Sequence, residues 1–142
     1  VVAKNDAAHR ALAASLQQRE IERRYAALVW GVCRDDAGRV AAPIDRNPKN
    51  RKKMAVVVGG RDAATNFTVG ERCPFTTLVE CRLETGRTHQ IRVHMRHVDA
   101  PVLGDATYGD GGWNRKEARR APRPLLHALQ VCRIGPVFRM DI

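Results

Sequence analysis

Short stretches of strand-forming residues, each bounded by turn residues, limit the architectures open to this chain. They lie at residues 24–32, 54–58, 64–69, 76–83 and 125–134. An Asp-Asp-Ala-Gly turn at residues 35–38, then Gly59-Gly60 and Cys73-Pro74, separate the first four. The first stretch and its turn predict a strand and a hairpin. One N-terminal helix followed by closely spaced strands predicts an α+β fold, with a mixed, mostly antiparallel sheet and flanking helices.

The N-terminal helix is predicted from its capping residue and its apolar spacing. Asn5 or Asp6 can accept a hydrogen bond from the first turn. Apolar residues then recur four apart, at Ala8, Leu12 and Leu16. This spacing predicts a surface helix with one buried stripe.

A second, shorter helix is predicted after Thr88, which can cap it. Its apolar residues are Ile91, Met95 and Val98, at i, i+4 and i+7. Three basic side chains would then lie near its N-terminus: Arg87, His89 and Arg92. Since backbone N–H groups and the positive end of the helix dipole also favour anions there, the pattern predicts an anion site.

The positive charge of the chain is concentrated in two clusters. The formal net charge is +10, from 25 basic and 15 acidic residues. Residues 46–61 contain six basic residues and no acid: Arg46, Lys49, Arg51, Lys52, Lys53 and Arg61. Residues 115–123 contain five basic residues and one acid: Arg115, Lys116, Arg119, Arg120, Arg123 and Glu117. Such clustering favours a polyanion such as RNA, while a solvated surface that only keeps the protein soluble is the alternative.

Several other classes of protein fit the sequence poorly. No apolar run approaches the roughly 18 residues of a membrane span. The four cysteines form no C-x-x-C pair and are expected to be reduced, mostly buried thiols of a cytosolic protein. His94 and His97 have a spacing that can hold zinc, but the sequence supplies no matching carboxylate or cysteine pair, so we expect them on the helix surface or near phosphates. No Gly-rich phosphate loop points to nucleotide hydrolysis.

The remaining motifs resemble those of a known family. The run LETGRTHQIRVHM at residues 83–95, followed by PVLGDATYGD at 101–110, closely resembles the signature of ribosomal large-subunit pseudouridine synthases, particularly the branch typified by the D enzyme. Further blocks agree in order: VVAKNDAAHRAL, EIERRYAALVWG, RNPKNRKKMAV and LLHA. The resemblance implies that residues 1–142 are part of one pseudouridine synthase catalytic domain.

The resemblance implies an enzyme that isomerises uridine to pseudouridine in RNA, most directly large-subunit ribosomal RNA. It implies no metal or nucleotide cofactor, no membrane and a monomer. In the family the catalytic Asp, which is the nucleophile or an ion-stabilising group, lies in a His-Arg-Leu-Asp motif shortly before a Val-Val-Ala-Lys stretch, and this sequence starts at that stretch with Val1. The catalytic Asp is therefore expected upstream, and the 142 residues alone are expected to be inactive.

Two catalytic residues are carried over by motif. Tyr25, in RRYAALVWG, matches the tyrosine that lies against the target base and is proposed to take part in removing a proton from its ring. A phenol suits this role, because its face stacks on a pyrimidine and its hydroxyl exchanges a proton. Arg92, the second arginine of GRTHQIR, matches the residue that pairs with the catalytic carboxylate. Without the resemblance, the two would be an ordinary strand aromatic and a solvated helix arginine.

Other residues are expected to bind substrate or to shape the site. Arg51, Lys52 and Lys53 are predicted to contact the RNA backbone. Arg87, Thr88 and His89 either contact phosphates or hold their loop, and Leu126 either lines the uracil pocket or belongs to the core. A turn stabilised by a carboxylate is predicted at Gly104, Asp105, Tyr108 and Gly109.

Two hypotheses from other classes remain open at this point. One is a non-catalytic RNA-binding module that has the same fold and has lost its nucleophile. The other is a basic structural protein of the ribosome.

Overall fold

The computed structural model describes residues 3–18, 20–109, 111–112 and 121–133. Within them lie two α-helices and seven strands. In chain order these are α1 (Asp6–Gln17), β1 (Ile21–Trp30), β2 (Ala37–Ala41), β3 (Ile44–Asn47), β4 (Asn50–Val56), β5 (Ala64–Arg72), β6 (Thr76–Leu83), α2 (Gln90–His97) and β7 (Leu126–Arg133).

Five of the strands form one sheet in the order β2-β5-β6-β1-β7, and β3 and β4 form a separate two-stranded hairpin. The strand pairs among the described residues are all antiparallel. The sheet is therefore antiparallel throughout the described residues, and the parallel pairs of a mixed sheet are not found there. The combination of this sheet with α1 and α2 confirms the predicted α+β class.

The hairpin predicted at residues 35–38 is wrong. The chain bends at residues 34–36, and Ala37 and Gly38 already belong to β2. β1 pairs with β6 on one edge and with β7 on the other, so neither edge is open to β2. The chain instead crosses to the far side of the sheet, where β2 pairs with β5. Sheet order depends on which distant strand completes each edge, and a local turn signal does not encode that.

The cap of α1 is confirmed and its apolar stripe is only partly so. Asn5 accepts a hydrogen bond from the Ala8 N–H at 2.8 Å. Leu16, predicted to be buried, is 44% exposed. Ser15 is buried instead, and its hydroxyl donates to the carboxylate of Glu20 in the connection to β1 at 3.1 Å.

The main core lies between α2 and one face of the sheet. Ile91 and Met95 are buried there as predicted, together with strand residues such as Val29 and Val79. Val98 is 42% exposed, because α2 ends at His97 and Val98 lies beyond its last turn. A second apolar cluster joins the β3–β4 hairpin to the opposite side of α2 through Ile44, Val93 and Tyr108. The hairpin is therefore held beside the helix that carries Arg92.

Some predictions fall wholly or partly outside the described residues. Of the second basic cluster, Arg123 is described and exposed, whereas residues 115–120 are not described. In the described part of the chain, no helix is long and apolar enough to cross a membrane.

Candidate active site

The loop that joins β6 to α2 is held by one buried side chain, Gln90. Its amide Nε2 donates to the carbonyl of Ala64 at 2.9 Å and to the hydroxyl of Thr65 at 3.0 Å. Its Oε1 accepts from the Thr85 hydroxyl at 2.8 Å and from the Arg87 N–H at 2.9 Å. Because every polar atom of this buried amide is bonded, Gln90 fixes the Thr-Gly-Arg-Thr turn against β5.

His89, and not Thr88, occupies the capping position of α2. Its backbone is left-handed, with φ of 56°, and its side chain makes no capping hydrogen bond. Nδ1 of His89 instead lies 2.9 Å from the hydroxyl of Tyr108, and the two rings meet edge to face. Burial, followed by the positive charges of Arg92 and Arg46, lowers the pKa of His89 despite the opposing charge of Asp105. A strained backbone held by a specific contact is a common mark of a functional site.

Arg92 forms a bidentate ion pair with Asp105. Nε and Nη2 of Arg92 donate to the two carboxylate oxygens of Asp105 at 2.7 and 2.8 Å. The side chain of Asp105 is fully buried, and that of Arg92 is 17% exposed. The residue predicted to pair with an upstream carboxylate thus already has a partner within this chain.

The two pKa shifts agree with this pairing. Hydrogen bonds to Asp105 raise the pKa of Arg92 against the opposing effect of burial. Burial alone would raise the pKa of Asp105, but hydrogen bonds from Arg92 and from the N–H groups of Tyr108 and Thr107 more than offset it, so that the pKa is lowered. The pair is therefore fully charged at neutral pH.

The turn that carries Asp105 has the predicted form. Oδ1 of Asp105 accepts from the N–H groups of Thr107 and Tyr108 at 2.9 and 3.1 Å. Gly104 has φ of +77°, and a Cβ there would collide with the carbonyl oxygens of Arg123 and Ala121, so glycine is required. The turn positions Tyr108, whose ring lies 4.8 Å from the guanidinium carbon of Arg92.

Tyr25 lies on β1 at an irregularity of the sheet. The pairing of β1 with β7 shifts by one residue between Arg24 and Tyr25, so that Tyr25 faces Ala128. Bulges of this kind re-aim side chains and are frequent beside active sites. Tyr25 is half-buried and packs against the same core cluster as Ile91, the neighbour of Arg92. Both candidate catalytic residues thus belong to the helix side of the sheet.

The predicted substrate-binding residues do not all lie together. Arg51 and Lys52 are exposed on β4, whereas the Lys53 ammonium donates to the carbonyl of Thr107 at 2.9 Å and joins the hairpin to the Asp105 turn. Leu126 is half-buried against the main core. Arg87 and Thr88 line an open cleft of about 250 Å³ between their loop and the β3–β4 hairpin.

His94 differs from its prediction, whereas the described cysteines are free thiols as predicted and only their burial is incomplete. His94 is fully buried, not on the surface, because its ring bonds to the hydroxyl of Thr65 and the carbonyl of Ala42, each at 2.9 Å. Cys81 is buried, and burial, with the charge of Glu80 and with Cys33, raises its pKa to about 12. Cys33 and Cys73 are only half-buried, and all three are free thiols. In the described part of the chain no group of three or more His, Cys, Asp or Glu side chains is placed to hold a metal.

The burial of His94 makes stability depend on pH. Burial lowers the pKa of folded His94 from the ordinary value of 6.5, an effect that the bond to Ala42 opposes and His97 supports. Between the pKa of His94 in the folded protein and its pKa of about 6.5 in the unfolded chain, the unfolded chain binds more protons. The free energy of unfolding is therefore highest above about pH 6.5 and decreases as the pH falls below it. Urea unfolding at about pH 7.5 and about pH 5.5 measures this. The decrease in the free energy of unfolding between these pH values should be smaller in His94→Gln and unchanged in His97→Gln. A decrease in His94→Gln as large as in the wild type would show that His94 is not its source.

Two important contacts were missed by sequence reasoning. Nothing in the pattern marks Gln90 as buried, since a glutamine in the first turn of a helix is usually solvated. Asp105 was predicted to bind its own turn, and its second partner, Arg92, lies thirteen residues earlier. A carboxylate and an arginine at that separation carry no periodic signal.

Known proteins resemble this chain both in sequence and in fold. The family model for RNA pseudouridylate synthase matches residues 1–97. An uncharacterized RNA pseudouridine synthase of Bacillus subtilis is 50% identical over 109 residues, which are 77% of this chain and 36% of that protein. Ribosomal large subunit pseudouridine synthase D of Nitrosomonas europaea is 47% identical over 134 residues, 92% of this chain and 39% of that protein. This chain thus spans well under half of these curated relatives.

A solved structure agrees with them. The human protein RNA Pseudouridylate Synthase Domain Containing 1 superposes with a TM-score of 0.85 at 25% identity, over 98% of this chain and 60% of that one. The matched blocks include the Thr-Gly-Arg-Thr turn, and the family model extends through α2, which carries Arg92. This chain belongs to the RNA pseudouridylate synthase family.

Proposed function

We propose that the natural protein containing these residues isomerises uridine to pseudouridine in large-subunit ribosomal RNA. In this reaction the bond from ribose C1′ to N1 of uracil breaks, the base turns, and a bond from C1′ to C5 forms. N1 gains a proton and C5 loses one, so the product is an isomer of the substrate. A base inside a stack must first be flipped out to react.

The observation that carries the proposal is the orientation of Arg92 by Asp105. The ion pair uses Nε and one N–H of Nη2, which leaves Nη1 and the second N–H of Nη2 for another acceptor. Two parallel N–H groups on that end of the guanidinium suit a second carboxylate. We assign this position to the nucleophilic aspartate of the family. Arg92 would keep that carboxylate ionised and aimed at C1′.

Tyr25 is assigned to the target base. Its ring offers a face on which uracil stacks, and its hydroxyl relays the proton released from C5, accepting it while the original O–H proton passes to solvent, so that the phenol ends unchanged. The bulge beside Tyr25 and its place on the helix side of the sheet support this role.

The RNA-binding roles are assigned according to exposure. Arg51 and Lys52 point from the hairpin into solvent and suit contacts to the RNA backbone. Arg87 and Thr88 suit a contact in the cleft that they line. Lys53, His89 and Leu126 act by shaping the site, since each already contacts protein. The protein is proposed to work as a monomer in the cytoplasm.

Pseudouridine mapping of ribosomal RNA tests this function. A strain that lacks the gene should lose pseudouridine at one or more large-subunit positions, and the complete natural gene should restore it. DNA that encodes only these 142 residues should not, because they contain no His-Arg-Leu-Asp motif. An unchanged map in the deletion strain would overturn the proposed substrate, and restoration by the 142 residues would overturn the need for that motif.

A further inference from the structure

The cleft between the β3–β4 hairpin and the loop before α2 is positively charged. Its volume is about 250 Å³, and Arg46, Arg61 and Arg87 are among the residues that line it. Asp45 is the one acidic residue of its lining, and this carboxylate accepts from the backbone N–H of Arg46 at 2.6 Å. The lining therefore has a formal charge of +2.

The three arginines of the cleft have no carboxylate partner among the described residues, as is also true of other described arginines such as Arg34 and Arg96, but these three lie together around one cleft. Elsewhere in the described residues, five arginines form ion pairs with carboxylates: Arg24, Arg39, Arg72, Arg82 and Arg92. Within the same described ranges, Arg46, Arg61 and Arg87 form none. Arg46 donates to the carbonyl of Arg51 at 3.2 Å and Arg87 to that of Asp62 at 2.9 Å. Three arginines without carboxylate partners around one cleft leave a positive potential that an anion can neutralise.

We propose that this cleft binds one phosphodiester group of the RNA strand, held by Arg46, Arg61 and Arg87. The planar guanidinium donates two parallel hydrogen bonds to phosphate oxygens, and the exposed Thr88 at the rim supplies a hydroxyl. The positive charge of Arg46 is also felt at His89, whose pKa it helps to lower.

The position of the cleft links it to the candidate active site. Ile44 and Met54 form one wall of the cleft, and both pack in the cluster that contains Tyr108. The Met54 N–H also donates to the Tyr108 hydroxyl at 3.0 Å, and the Tyr108 ring lies against Arg92. This phosphate site rests on the proposed function and adds a contact close to the target nucleotide. Arg46 and Arg61 become substrate-binding residues through it.

The salt dependence of RNA binding tests this site. The natural full-length chain and its variants are titrated against a fluorescein-labelled RNA hairpin from large-subunit ribosomal RNA at several salt concentrations. Because one phosphate contact is lost, the double variant Arg46→Ala/Arg61→Ala should bind more weakly, and its plot of log affinity against log salt should be shallower by about 1. Arg82→Ala is the matched control. It removes one exposed arginine from the sheet, where Arg82 pairs with Glu22, and should leave the slope unchanged.

The outcomes separate this site from the proposed activity. A slope that is shallower in Arg46→Ala/Arg61→Ala but not in Arg82→Ala supports the phosphate site, whether or not the protein forms pseudouridine. An equal slope in the wild type and the double variant overturns it, even if pseudouridine forms normally. Wild-type binding that does not depend on salt also overturns it.

Discussion

Replacing Asp105 with asparagine is expected to lower the free energy of unfolding by about 3 to 5 kcal/mol. The carboxylate is fully buried and makes two bonds to Arg92, whose side chain is 17% exposed. Asparagine keeps the size of the side chain but leaves the guanidinium without an opposite charge in a mostly buried place. Urea unfolding of the natural chain at neutral pH measures the loss.

Asp36→Asn is the matched control for this substitution. Asp36 also pairs with an arginine, Arg72 at 2.7 Å, but its side chain is 90% exposed. Surface ion pairs contribute about 1 kcal/mol or less, so this variant should unfold close to the wild type. Equal unfolding midpoints for Asp105→Asn and Asp36→Asn would show that the buried pair does not hold the turn against α2.

Replacing Arg92 with glutamine is expected to lower the rate of pseudouridine formation by about 100- to 1000-fold, the size of effect seen when one preorganised hydrogen-bond donor is removed from an active site. RNA affinity should change little, because the guanidinium is directed to carboxylates and not to the RNA backbone. Single-turnover rates and binding of the same RNA hairpin measure the two effects separately. A fall in affinity as large as the fall in rate would instead place Arg92 in RNA binding.

A double variant separates catalysis from folding. Arg92→Gln alone leaves Asp105 as an unpaired buried charge, so part of its defect can come from instability. Arg92→Gln/Asp105→Asn removes both charges and should recover much of the lost stability, since the two residues interact directly. Activity should not recover with it. A stable double variant with a normal rate would contradict the role assigned to Arg92.

Local patterns predicted the elements of the fold better than their pairing. The strands near residues 64–69 and 76–83 and the apolar pair Ile91 and Met95 were found because strand propensity and helical spacing are local. The hairpin after β1 was wrong because β6 and β7, which come later in the chain, take both of its edges. Strand order is a property of the complete sheet.

The candidate site was predicted by motif, and its internal contacts were not. Arg92 and the Asp105 turn were each identified, but only the fold brings them to hydrogen-bonding distance. His94 was expected near the surface, and it is buried because Thr65 and Ala42 satisfy both ring nitrogens. Long-range polar contacts of this kind depend on the packing of α2 on the sheet, which single-residue patterns do not contain.

Tritium release tests the central claim most directly. Ribosomal RNA carrying tritium at C5 of uridine is incubated with the natural full-length chain, and tritium in the solvent is followed alongside pseudouridine in the RNA. Because C5 loses its hydrogen when it bonds to C1′, the wild type should release tritium in step with pseudouridine formation, and the folded Arg92→Gln/Asp105→Asn variant should release almost none. The absence of release by the wild type, or equal release by both proteins, would contradict this account.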